Sequence, residues 1–287
     1  MVAAKNWRIF SAILLTLSIL SSGHARSDLP AMKPGKYRFG EYSAIRNTAL
    51  AILRKYPPSE YLYVGIGRSP TPVIAAIQAI LGTESARNVP FSNRFKDFDP
   101  DKPLTGGKIE ENMHGILIDH DERIMHDRKD RARFWEVFKK KLPKFADLGG
   151  KKILVIDFVA SGASLKNGVL EMQKFYQHME PGKKLPTVVG LGLTVPGAQI
   201  YVNLPPGTEL LTPSGILTKA MDHRRYISVS EYTSPYGGEE PARQASYDAL
   251  RADLAARFRT DVFVQSYLQY KQTTFLRCLS GNFGLGG

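Results

Sequence analysis

Between residues 42 and 56 apolar side chains return at helical spacing, with Ile45, Ala49, Ile52, Leu53 and Tyr56 on one side. This predicts a helix that Pro57-Pro58 ends. The next apolar residues are consecutive, Tyr61-Leu-Tyr-Val-Gly-Ile66, as in a short strand covered on both faces. A Gly/Ser/Pro turn at 67–70 leads into a helical stretch ending near Gly82. Residues 86–92 carry a fainter extended pattern. The polar segment 92–112, with Lys96, Lys102 and Lys108 among Pro100, Pro103, Gly106 and Gly107, reads as a long loop. A third apolar run covers 115–119, a basic helical stretch follows, and residues 152–157 form the clearest strand pattern in the chain. Ser161-Gly-Ala-Ser164 then opens a helix striped with Leu165, Val169, Met172 and Tyr176, and residues 187–193 read as a fifth strand.

Strands that alternate with helices across short glycine-containing turns predict an α/β fold with a doubly wound parallel sheet. Ligands of such sheets bind beyond the carboxyl ends of the strands. After Pro196 the pattern turns irregular, with Pro205-Pro206, Pro213, an extended stretch at 226–232 and a helix over 241–258. Residues 26–195 are thus expected to form the core, and residues 196–287 a cap or side layer of the same domain.

Composition narrows the class. The chain has 287 residues, 43% of them hydrophobic and 23% charged, enough to bury a core. Its one cysteine, Cys278, excludes an internal disulfide and a thiolate zinc site. Lys5 and Arg8 precede the apolar run 9–20, and Ser22-Gly23-His24-Ala25 supplies small residues after it. That run is shorter than the ~20 residues of a spanning helix, so it reads as a secretory signal cut after Ala25, delivering a periplasmic or secreted protein. The formal net charge of +12 favours acidic partners: nucleotides, phosphosugars, nucleic acid or an anionic membrane surface. The basic stretch 131–152 also places Phe134, Phe138, Leu142 and Phe145 at helical spacing, as in a core-facing helix with a solvated basic side.

Two turns carry candidate chemistry. In Ile153-Leu-Val-Ile-Asp-Phe-Val-Ala-Ser-Gly-Ala-Ser-Leu165 a strand ends in an acid and enters a helix through small residues. Such residues let backbone N–H groups close around a phosphate at the positive end of the helix, with Ser161 and Ser164 as hydroxyl donors. A serine at a helix start is also a plain N-cap. Asp157 offers an acceptor to sugar hydroxyls. The earlier turn places Arg68, Ser69 and Thr71 at another helix start, with Arg68 suited to bidentate phosphate contact or to solvent alone.

Together these turns resemble the type I phosphoribosyltransferase family. Residues 153–164 supply its layout of apolar strand, acid and Ser-Gly-Ala-Ser, and residues 64–74 look much like its pyrophosphate loop. The order of elements from 42 to 195 agrees as well. The resemblance implies that Ala160, Ser161, Gly162, Ala163 and Ser164 cradle the 5′-phosphate of phosphoribosyl pyrophosphate or a nucleotide. Gly67, Arg68, Ser69 and Thr71 would face pyrophosphate. It gives catalytic roles to Asp157 and Arg68, with Asp157 holding the ribose hydroxyls or, indirectly, a magnesium ion (Mg2+). Lysines of segment 92–112 would close over the site. Transfer would proceed by displacement of pyrophosphate at ribose C1, through positioning and charge neutralisation.

Two positions depart from the pattern. The family has two adjacent acids where this chain has one, since Ile156 and Phe158 flank Asp157. Pro70 replaces a usual glycine and removes an N–H. Binding of a ribose-5-phosphate ligand is therefore expected ahead of transferase activity. Alternatives are a non-catalytic secreted protein using its basic surface, and an active enzyme on another phosphorylated sugar. Asp119-His120-Asp121 and His126-Asp127 lack a helical His-x3-His ligand spacing, and no Gly-x-Ser-x-Gly elbow surrounds a serine.

Overall fold

The computed structural model describes residues 39–67, 70–89, 101, 103–104, 106, 109–111, 117–159, 162–194, 203–212 and 241–281. The expected leader and the extended stretch 226–232 lie outside those residues. In chain order the elements are α1 (Phe39–Lys55), β1 (Tyr61–Ile66), α2 (Thr71–Leu81) and β2 (Ala86–Val89). Next come β3 (Ile109–Glu111), β4 (Leu117–Asp119), α3 (His120–Lys141), β5 (Lys152–Phe158) and α4 (Ala163–Met179). The series ends with β6 (Val188–Leu193), β7 (Glu209–Leu211), α5 (Pro241–Phe258) and α6 (Val262–Gly281).

Five strands form one sheet in the order β2-β1-β5-β6-β7, and every neighbouring pair is parallel. Successive residues of a strand point to opposite faces, and the apolar runs use both. Tyr63, Leu154, Ile156 and Leu191 bury against α1, α2, α5 and α6. Leu62, Val64, Ile153, Val155 and Val188 bury against α3 and α4. The expected α/β class and parallel sheet are what the chain adopts, with helices on both faces. The basic stretch is a core-facing helix as expected: Phe134, Phe138 and Leu142 are buried, while Lys139 and Lys140 are exposed.

Three expectations are corrected. The described part of the run at 115–119 is not a strand of the main sheet: residues 117–119 form β4, which pairs antiparallel with β3 in a separate ribbon. β3 itself falls inside the segment expected to be loop. The polar Glu110 and Glu111 suit such a ribbon, because a central parallel strand is buried on both faces. Residues after 196 contribute a fifth strand, β7, at the sheet edge, and α6 was not legible in the sequence. On α5, Tyr247, Leu250, Leu254 and Phe258 join the same core as α1 and α2, which makes that helix a side layer of the domain.

Candidate functional site

β1 and β5 are parallel neighbours with Gly65 opposite Ile156, so both chains leave the sheet at the same rim. Connections diverge here, since β2 lies on one side of β1 and β5, β6 and β7 on the other. This reversal is the place where open α/β sheets bind ligands. The strands that lead into the two turns singled out in the sequence thus end side by side.

Each turn uses a glycine in the left-handed region. Gly67 has φ 70° and donates its N–H to the Val89 carbonyl at 2.8 Å. Gly162 has φ 87°, caps α4, and accepts the Lys166 N–H at 3.0 Å. That conformation strains any residue with a Cβ. Arg68, Ser69, Ala160 and Ser161 lie outside the described residues.

The two helix starts differ. At α2, Pro70 is the N-cap, without a side-chain cap bond, and Pro72 follows Thr71 within the first turn. Proline lacks the N–H that would face an anion. Thr71 is only 1% exposed. Its Oγ1 accepts a 2.7 Å hydrogen bond from Asn88 Nδ2, and the Asn88 Oδ1 has no partner among the described residues. Asn88 comes from β2, and a Cβ built on Gly65 would lie 3.3 Å from its Oδ1. The Asn88 amide therefore braces the start of α2 from below. The extended pattern at 86–92 is weak, and nothing in it marked Asn88.

At α4 the first turn begins with Ala163 and Ser164, both half-buried, and no proline interrupts its N–H groups. Beneath it sits Asp157, 6% exposed, whose Oδ1 accepts the Phe158 N–H at 2.8 Å. Burial pushes its carboxyl well above the ordinary range, and the Phe158 hydrogen bond opposes this only in part. Alternation along β5 explains the enclosure, since Asp157 follows Ile153 and Val155 onto the face covered by α4. The acid thus lies under the turn instead of open on the rim.

A magnesium ion takes several oxygen ligands. Among the described residues no group of three or more acidic, His or Cys side chains gathers, and Asp157 alone is one enclosed carboxyl. These residues do not fit a protein-held ion. The side chains of Asp119, His120, Asp121, His126 and Asp127 lie outside the description, as do Lys96, Lys102 and Lys108. His178 stacks on Trp135 with ring centroids 4.6 Å apart.

Charge holds α4 in place further along. The Arg131 guanidinium contacts Glu171 at 2.6 and 2.8 Å and Asp101 at 2.6 Å, and Lys174 also pairs with Asp101. The Arg131 and Lys174 hydrogen bonds hold the Asp101 carboxyl far below the usual carboxylate range. Asp101, from the polar segment, is thereby fastened to α3 and α4.

No protein-family model matches the chain, and the search of curated proteins finds no significant match.

Proposed function

We propose that this chain is an exported protein of phosphoribosyltransferase type that binds a ribose-5-phosphate ligand at the β1–β5 rim. The observation that carries the reading is the juxtaposition of two helix-opening turns, each with a left-handed glycine, on adjacent parallel strands where the sheet order reverses. The 5′-phosphate belongs at the start of α4, where N–H groups and the Ser164 side chain stand at a half-buried first turn. Asp157 supports that turn from below. Loss of one family acid and the two prolines at α2 favour binding without pyrophosphate transfer.

Calorimetric titration of the chain with ribose 5-phosphate, nucleoside monophosphates and phosphoribosyl pyrophosphate, each with and without magnesium, tests the reading. Saturable binding that Gly162→Val abolishes is expected. Absence of binding by the wild type, or binding untouched by both Gly162→Val and Asp157→Asn, would defeat the assignment. Release of pyrophosphate in a turnover assay would restore the enzymatic reading.

A second reading rests on the exposed Lys139 and Lys140 on the outer side of α3, opposite its buried Phe134 and Phe138. It predicts steeply salt-dependent binding to nucleic acid or anionic lipid. Reversal of both lysines to glutamate would remove that binding, and Gly162→Val would not.

A further inference from the structure

A cavity of about 520 Å³ lies between one side of α4, from Lys166 in its first turn to Gln173, the first half of β6 and residues 203–206. This volume falls within the roughly 300–1,000 Å³ of small-molecule sites. Its origin is topological. β7 pairs with β6 only from Leu191 onward, and Pro205-Pro206 approach the earlier half of β6 without N–H groups to offer it. Ile153 donates its N–H to Thr187 on one edge of β6, and Thr194 donates to Leu211 on the other. Backbone groups of a parallel strand alternate between its edges, so those of Val188 face outward, towards the cavity they line.

The walls combine apolar area with donors. Leu170, Val188, Leu204 and the three prolines at 186, 205 and 206 supply a hydrocarbon surface. Lys166, Leu170 and Gln173 share one face of α4, with Leu170 between the two polar side chains, and Asn203 lines the same space from residues 203–206. None of these three polar side chains has a hydrogen-bond or ion-pair partner among the described residues, and no acidic side chain is among the described residues that line the space. An ammonium with no partner among the described residues, lining the same space as two amides and an outward backbone N–H, suits an anion, and the prolines and leucines suit an apolar body.

We infer that this cavity is a second binding site, for a small organic carboxylate with an aromatic or aliphatic body. It stands independently of the rim. The probe is naphthalene-2-carboxylate, titrated calorimetrically into the whole chain beside its neutral carboxamide. The expected result is saturable one-to-one binding of the acid, at least tenfold weaker binding of the amide, and at least a tenfold loss for the acid in Lys166→Gln. Gly162→Val is expected to retain the acid, which separates this site from the rim. Lys166→Gln alters a half-exposed side chain and keeps the fold, so its effect reads the site; Leu170→Glu, which places a like charge in the wall, is the second variant. Absence of saturable binding, equal affinity for acid and amide, or binding unchanged in both variants would overturn the inference.

Discussion

The two helix starts at the rim are built from the same plan and finished differently. Both follow adjacent parallel strands through a left-handed glycine, yet every residue from Pro70 to Gln78 on the α2 side is buried. On the α4 side Ala163 and Ser164 remain half-exposed. The start of α2 is a wedge held by hydrocarbon, Val73, Ile74 and Ile77, and by the Asn88–Thr71 bond. The start of α4 is half-buried and free of proline, and charge anchors that helix through Glu171 and Arg131. Similar sequence punctuation therefore yields one buried turn and one half-exposed turn, the latter being the turn proposed to receive the phosphate. The distinction lies in burial, and in the two prolines.

The largest effect should come from the charge anchor. Arg131 and Glu171 are both nearly enclosed, so Arg131→Ala leaves a buried carboxylate without its main partner. Such losses cost about 3–5 kcal/mol. Urea unfolding should show that loss, and adding Glu171→Gln should recover most of it. Recovery failing in the double variant would mean that α4 is held by packing, as α2 is.

Next in size is the contrast between the two glycines. Valine at Gly162 or Gly67 forces a β-branched residue into the left-handed region, about 1–3 kcal/mol of strain at either site. Ligand titration should separate them. Gly162→Val is expected to weaken ribose 5-phosphate binding at least tenfold, and Gly67→Val by less. Equal losses would make both turns receptive and erase the difference drawn here.

How much of this was legible in the sequence depends on how each element is buried. β1 and β5 are covered on both faces, so they appear as apolar runs, with Gly67 directly after β1 and Gly162 at the start of the helix that follows β5. β7 has three residues, none of them fully buried, and leaves no run to detect. α6 exposes Val262, Phe263 and Tyr270 while burying Val264 and Tyr267, so its apolar residues fall on more than one side and hide the helical period. Asp157 was visible as a strand-end acid. Its enclosure follows from counting alternate positions from Ile153, a step that needs to know which helix covers which face. Asn88 was invisible, because its role depends on β2 lying beside β1 and the start of α2.

Thr71→Val probes the wedge directly. The substitution keeps the shape and removes the oxygen that accepts from Asn88 Nδ2, leaving both ends of a buried amide without partners. A cost of about 1–3 kcal/mol is expected. Binding of ribose 5-phosphate should change little, in contrast to Gly162→Val, because Thr71 faces the protein interior.

The most specific effect depends on pH. Burial raises the Asp157 carboxyl, so the folded chain keeps a proton there that the unfolded chain releases above about pH 4. Below that value both states are protonated and the folded state has its full advantage. As pH climbs the unfolded state ionises first, and stability drains away until the raised folded value is passed. Asp157→Asn removes this drain and keeps an oxygen for the Phe158 N–H, while its amide N–H groups add a cost that does not vary with pH. The unfolding temperature of the variant, relative to wild type, should therefore rise from pH 4 to pH 8, whatever the offset at either end. Thr71→Val has no titrating partner and should give a difference that is flat over the same range. Parallel curves for Asp157→Asn would place its carboxyl in contact with water, on an open rim, and the two helix starts would then be alike in the property that separates them.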